Sequence, residues 1–174
     1  IMQERFSDIT SKPDAPFLGA SLSVGRLCTT CEGVFANVSF KDGDAVNAFG
    51  AMMLEVEKMK RFGFTDGEVE RAKAKIMSHY ERAVEAAPTR KNADFVRPLL
   101  NAFYHNEAYM DPETELQVAQ MICSQLNAAV LSQIAASMIT DENMVVLYNG
   151  PEKEGLVNPT EEQLAAVIAA VKTA

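Results

Sequence analysis

Residues 16–40, PFLGASLSVGRLCTTCEGVFANVSF, decide how the chain is read. Leu18, Ala20, Leu22 and Val24 fall on one side of the first half, with small or polar residues between them. Val34, Ala36, Val38 and Phe40 repeat that alternation after the Gly25–Gly33 connection. Period two places successive side chains on opposite faces, so both runs read as half-buried antiparallel strands of one hairpin. Outside this stretch the period changes.

Upstream, Phe6 and Ile9 share one face of a short helix that Pro13 and Pro16 terminate, since a proline nitrogen cannot donate a backbone hydrogen bond. Downstream, Val46, Phe49, Met53 and Val56, with Met52 and Met59 beside them, form a helical stripe ending at Gly63. Thr65 and Glu68 have capping-box spacing and open the next helix, whose apolar face is Val69, Ala72, Ile76, Met77 and Tyr80. Pro88 closes that helix, and Phe95, Leu99 and Phe103 mark another in which Pro98 is a start or a kink. Asp111-Pro112 is a helix-opening pair, followed by Leu116, Met121 and Ile122; Asn127 opens a helix carrying Val130, Leu131, Ile134 and Met138. Asp141-Glu142-Asn143 turns the chain into residues 144–148, read as a short apolar strand, and Thr160 with Gln163 caps a final helix. The fold class is α+β, a small antiparallel sheet packed with several helices. Three strands are few for so many helices, and the first helix looks cut. Residues 1–174 are therefore expected to be one domain, the C-terminal part of a domain excised from a longer chain.

Composition narrows the function. Hydrophobic residues make up 48% of the 174, enough for a core, and the 23% that are charged do not indicate disorder. A net charge of −8 argues against nucleic acid and anionic membrane as partners, because both require clustered Lys and Arg. No apolar run approaches the roughly 20 residues of a membrane span. Three cysteines do not make a disulfide scaffold.

Local constellations are sparse. Cys28-Thr29-Thr30-Cys31 is the sharpest, either half of a metal site or a redox pair. A structural zinc site normally adds a second close ligand pair, and a thioredoxin-type pair sits at a helix start; this one falls in a hairpin connection, so an ordinary turn is the favoured reading. His79-Tyr80-Glu81 and His105-Asn106-Glu107 share H-x-E with zinc deaminases but lack the downstream P-C-x-x-C, and both histidines are expected at the surface or at a helix end. Asp42-Gly43-Asp44 lacks the later ligands of a calcium loop and reads as a strand-to-helix turn. Phosphate-binding, dinucleotide and nucleophile-elbow signatures are absent.

Several stretches resemble the insulinase/pitrilysin family of zinc peptidases. They are Arg5-Phe6-Ser7-Asp8-Ile9, residues 13–20 (PDAPFLGA), and above all residues 62–73, FGFTDGEVERAK. The closing Asp141-Glu142-Asn143-Met144-Val145-Val146 and residues 150–155 are similar to the end of the second domain in bacterial periplasmic relatives. The resemblance implies a clamshell of homologous α+β domains around a closed chamber. In that family a first domain carries H-x-x-E-H and a distant Glu; two His and that Glu hold zinc, and the motif Glu activates water. None of these has a counterpart among these residues, so no catalytic or metal residue is assigned and zinc is expected only in the parent enzyme. The resemblance also implies that some domains place an Arg and a downstream Tyr near substrate. Arg5 matches the Arg, whereas Phe17 stands near the hydroxyl position without a polar tip to stabilise an intermediate.

The expectation is a supporting, chamber-forming domain of a zinc metalloendopeptidase, inactive alone. Its partners would be the other domains of the same polypeptide and, in the intact enzyme, peptide substrate, in the periplasm or cell envelope. The alternatives are a domain of a catalytically dead, processing-peptidase-like scaffold subunit and a free-standing metal or redox module built on Cys28 and Cys31.

Overall fold

The computed structural model describes every residue except Glu107 and Asp141. The second H-x-E element and the acidic turn at 141–143 thus fall partly outside the described residues. In chain order the elements are helix α1 (Met2–Thr10), strands β1 (Gly19–Cys28) and β2 (Cys31–Ser39), and helices α2 (Ala45–Phe62) and α3 (Asp66–Ala86). A single 3₁₀ turn (Ala87–Thr89) follows, and then α4 (Asn92–His105), α5 (Pro112–Gln125), α6 (Ala128–Met138) and α7 (Glu161–Thr173). The class is α+β, with seven α-helices and a two-stranded antiparallel sheet among the described residues. The chain divides into two compact units, one of residues Ile1–Phe64 with Ala129–Ala174 and one of Thr65–Ala128.

The first unit holds the main core. Met2 and Phe6 of α1, Phe17, Ala20 of β1, and Ala48, Met52, Val56 and Met59 of α2 are buried together. The rings of Phe6 and Phe17 meet edge to face, centroids 6.1 Å apart at 82°, an arrangement that sets a positive ring edge on a negative ring face. The inner face of α2 is Ala45, Ala48, Met52, Val56 and Met59, at spacings that keep one stripe of a 3.6-residue helix facing inward. Sequence periodicity centres that stripe on Val46, Phe49 and Met53; instead Val46 is 36% exposed and the latter two are only partly buried. Small Ala48 explains the rotation, since without a bulky side chain the backbone can approach its neighbours closely.

β1 and β2 pair from Gly19↔Ser39 through Val24↔Val34 to Cys28↔Cys31. The connection is therefore only Thr29 and Thr30, shorter than the sequence reading of Gly25–Gly33, because both strands continue through those glycines. Residues 144–148 form no strand, a correction to the sequence reading. Their apolar, β-branched composition suits a strand, but a strand exists only when backbone groups find a partner. No backbone hydrogen bond joins 144–147 to another segment among the described residues. Tyr148 ends this run stacked on Phe40, centroids 5.9 Å apart, with its hydroxyl donating to Asn158 Oδ1 at 2.8 Å. α7 lies against α2, and the Arg61 guanidinium donates to the carbonyls of Lys172 and Ala174 at its C-terminal end.

In the second unit α3 packs on α5, burying Val69, Ala119 and Cys123. Its helix starts follow their capping signals. The Thr65 hydroxyl accepts from the Glu68 amide while the Glu68 carboxylate accepts from the Thr65 amide. Asp111 accepts from the amide and hydroxyl of Thr114. Pro98 lies inside α4 and does not end it. Met121 and Ile122, read as the apolar face of α5, are about half exposed, and Ala119 and Cys123 take the inward positions.

Phe6→Ala should lower unfolding free energy by about 3–5 kcal/mol, as truncation of buried aromatics does, and Thr65→Ala by about 1 kcal/mol. Urea denaturation checks both, and a Phe6→Ala loss below that of Thr65→Ala would contradict the core described here. A pH effect also follows for α5. Hydrogen bonds from the Thr114 amide, then its hydroxyl, hold the Asp111 carboxyl below its ordinary 3.8. A depressed folded value means that this cap contributes fully above the ordinary value and is lost as pH falls through the folded one. The protection of the Thr114 amide, relative to its intrinsic exchange rate at each pH, should be lost over that acid range in the wild type, whereas in Asp111→Ala it should be low throughout.

Candidate functional site

Arg5 projects from α1 toward the end of α2. Its Nη2 donates to the Gly63 carbonyl at 2.9 Å, and the guanidinium lies 5.3 Å from the centre of the Phe64 ring. The same corner receives α6, whose Ser132 hydroxyl accepts from the Phe64 amide at 2.8 Å. Gly63 has φ +68°, and a Cβ there would collide with the Ser132 side chain, so both conformation and space select glycine. Arg5 thus holds an orphan carbonyl at a helix terminus and covers an aromatic face, two tasks suited to a planar guanidinium. Phe17, the other residue singled out by resemblance, is 3% exposed and packed against Phe6. Phe17 thus lies within the core and Arg5 at the corner where α2 ends, each engaged with protein groups.

A larger feature escaped the sequence reading. A cleft of about 1040 Å³ opens in the first unit, with β2 as one wall, residues 142–149 as the other and Phe49, Met52, Met53 and Val56 of α2 as the floor. β2 pairs with β1 alone among the described residues, so its second edge presents unpaired backbone N–H and C=O groups to this cleft. The facing wall is apolar and open, with Val145 78% and Leu147 90% exposed. The signal present in the sequence was the short apolar run 144–148, which had no assigned partner strand.

Cys28 and Cys31 are both exposed at the hairpin tip, and Cys123 is buried in the second unit. Hydrogen bonds from the Thr30 backbone, then its side chain, and from Cys31 hold the Cys28 thiol below its ordinary 9.0. His79 lies exposed on α3, edge-on to Tyr80, and His105 is exposed at the last position of α4. No three His, Cys, Asp or Glu side chains converge to hold a metal among the described residues. These donors do not compose the three-ligand site of a zinc hydrolase. No helix among the described residues is long and apolar enough to cross a membrane.

No family model and no curated protein sequence matches the chain. Solved structures do. The periplasmic protease PqqL from Escherichia coli superimposes over 99% of this chain with a TM-score of 0.81 and 17% identity. The first half of the same protease matches 79% of the chain at TM-score 0.72 and 18% identity. A predicted insulinase family protease from Yersinia pestis matches 98% at TM-score 0.75 and 12% identity. The fold is that of an insulinase-type protease segment. The chain spans only 30%, 19% and 36% of the first-half PqqL, PqqL and Yersinia chains respectively. Such low identities carry the fold and no residue roles.

Arg5→Met keeps the stem but removes the donor to the Gly63 carbonyl, and should cost about 1–3 kcal/mol in urea denaturation. Arg5→Lys should recover only part, since an ammonium cannot both donate and lie flat on Phe64. Full stability in Arg5→Met would show that the corner does not depend on this side chain.

Proposed function

We propose that the chain is a supporting, chamber-forming domain of a zinc-dependent metalloendopeptidase, with the catalytic zinc and its activated water held by residues outside these 174. The observation that carries this reading is the fold match over 98–99% of the chain to segments of much larger proteases. The work of this chain in the proposal is therefore shape. It presents a buried, edge-to-face aromatic pair beside a β-hairpin. Substrate contact at Arg5 and Phe17 belongs to the same proposal and would arise only in the assembled chamber.

The partners proposed are other parts of the same polypeptide, in a periplasmic or cell-envelope setting. An unpaired β2 edge and an exposed apolar wall are surfaces that a longer chain would cover, by strand addition or by packing. The scaffold-subunit alternative shares this architecture and differs only in lacking zinc chemistry elsewhere in the molecule.

Two measurements test the proposal. The purified 174-residue chain should cleave no quenched fluorescent peptide and retain no stoichiometric zinc, while the full-length protein does both; chelator-sensitive cleavage by the chain alone would overturn it. Full-length protein that folds but neither binds zinc nor cleaves would favour the scaffold alternative. Hydrogen exchange gives the second. Amides of β2 and residues 144–147 should be protected in the full-length protein relative to the isolated chain, and equal exchange in the two would refute the covering of this cleft by the same polypeptide.

A further inference from the structure

The hairpin tip carries two thiols that the peptidase reading does not use. Cys28 ends β1, Cys31 begins β2, and the two are direct cross-strand partners separated by Thr29 and Thr30 alone. Directly opposed residues of an antiparallel pair have Cα atoms roughly 4.5–5.5 Å apart, inside the range of about 4.4–6.8 Å that a disulfide spans. The ladder is irregular between Arg26 and Cys28, so closing this pair asks for side-chain rotation and a local adjustment of the turn. Both thiols are exposed, so a soluble disulfide can reach either sulfur.

The two cysteines differ in a way that orders their roles. Cys28 Sγ lies 3.7 Å from Thr30 Oγ1 and is the thiol whose anion the turn stabilises, whereas Cys31 Sγ faces the Glu32 carbonyl at 3.9 Å. A stabilised thiolate attacks first, and a neighbouring thiol resolves the adduct. Arg26 and Glu32, the next cross-strand pair, place a guanidinium and a carboxylate 3.9 Å apart just behind the tip. A ring of four residues removes less unfolded-chain entropy than a long loop, so an oxidised tip would be a modest staple. Exposure and a short ring are the properties of a labile disulfide more than of a structural one.

We propose that Cys28 and Cys31 form a reversible dithiol–disulfide site that exchanges with small-molecule disulfides of the glutathione class. Cys28 loses its proton to solvent and its thiolate attacks one sulfur of glutathione disulfide. A Cys28–glutathione bond forms, the original S–S bond breaks, and one glutathione thiolate leaves and takes up a proton. Cys31 then loses its proton and attacks Cys28 Sγ, forming the Cys28–Cys31 bond and expelling the second glutathione. The protein loses two electrons and two protons, and glutathione disulfide becomes two glutathiones.

The test is equilibration of the purified chain in glutathione buffers of graded ratio, quenched by thiol alkylation and read by intact and peptide mass spectrometry. The expected result is a monomer lighter by two hydrogens, with Cys28 and Cys31 in one cross-linked peptide and Cys123 still alkylatable after unfolding. The ratio of oxidised to reduced protein should vary inversely with the square of glutathione concentration divided by that of glutathione disulfide. Cys31→Ser should accumulate a stable glutathione adduct on Cys28, and Cys28→Ser should form its adduct on Cys31 more slowly. Persistent adducts in the wild type, intermolecular dimers as the main product, or no loss of hydrogen under oxidising buffer would each overturn the proposal.

Discussion

The first unit depends on the corner where α2 ends. Gly63 leaves the helix at positive φ with no room for a Cβ beside Ser132, so the chain reverses in a space that only glycine fits. The Gly63 carbonyl that this exit exposes is taken by Arg5, and the following amide is taken by Ser132. One turn thereby joins α1, α2 and α6 through groups that would otherwise be unsatisfied backbone. The core of Phe6, Phe17, Ala48 and Met52 is adjacent to it, because the Arg5 bond fixes the helix that delivers Phe6. Hydrophobic burial supplies most of the stabilisation, and the polar corner supplies the register in which it is buried.

What the sequence made legible was local. Capping boxes at Thr65–Glu68 and Thr160–Gln163, and the cap at Asp111, appear where residue spacing puts them, since each needs only neighbours three positions away. The hairpin was legible for the same reason, alternation being visible within one strand. Which face of α2 is deepest was not, because that is decided by Ala48 and by what packs on it, and an alanine gives little signal in a hydrophobic pattern. Leu18 and Val24 show the same limit: both lie on the apolar side of the hairpin, yet helices cover only the middle of that face and leave these two exposed.

Residues 144–148 mark the boundary between propensity and structure. Their composition is that of a strand, and they line a cleft whose other wall is β2. Backbone pairing is a property of two segments, so an apolar run lacking its partner stays extended but unladdered. The same absence explains why Val145 and Leu147 stand open. Of the candidate site residues, Arg5 and Phe17 were found by resemblance and turn out to be tied into the corner and the core. The cleft was not found, because it consists of unmatched edges and no special residue type.

Fold and chemistry separate cleanly in this chain. A protease-like fold does not by itself confer proteolysis, since function resides in side chains grafted onto an architecture. Among the described residues, Arg5 is spent on a helix carbonyl and the two histidines are exposed on helices of the second unit. What remains available is geometric: an open strand edge above an apolar floor, and a hairpin whose tip sets two thiols face to face. The first has unpaired backbone groups of the kind to which an added strand can pair. The second borders the first, since Cys31 itself lines the cleft. It lies at the end of the ladder farthest from the Gly19↔Ser39 pair that adjoins the core, so oxidation there can lock the turn without disturbing the packing that gives the wall its shape.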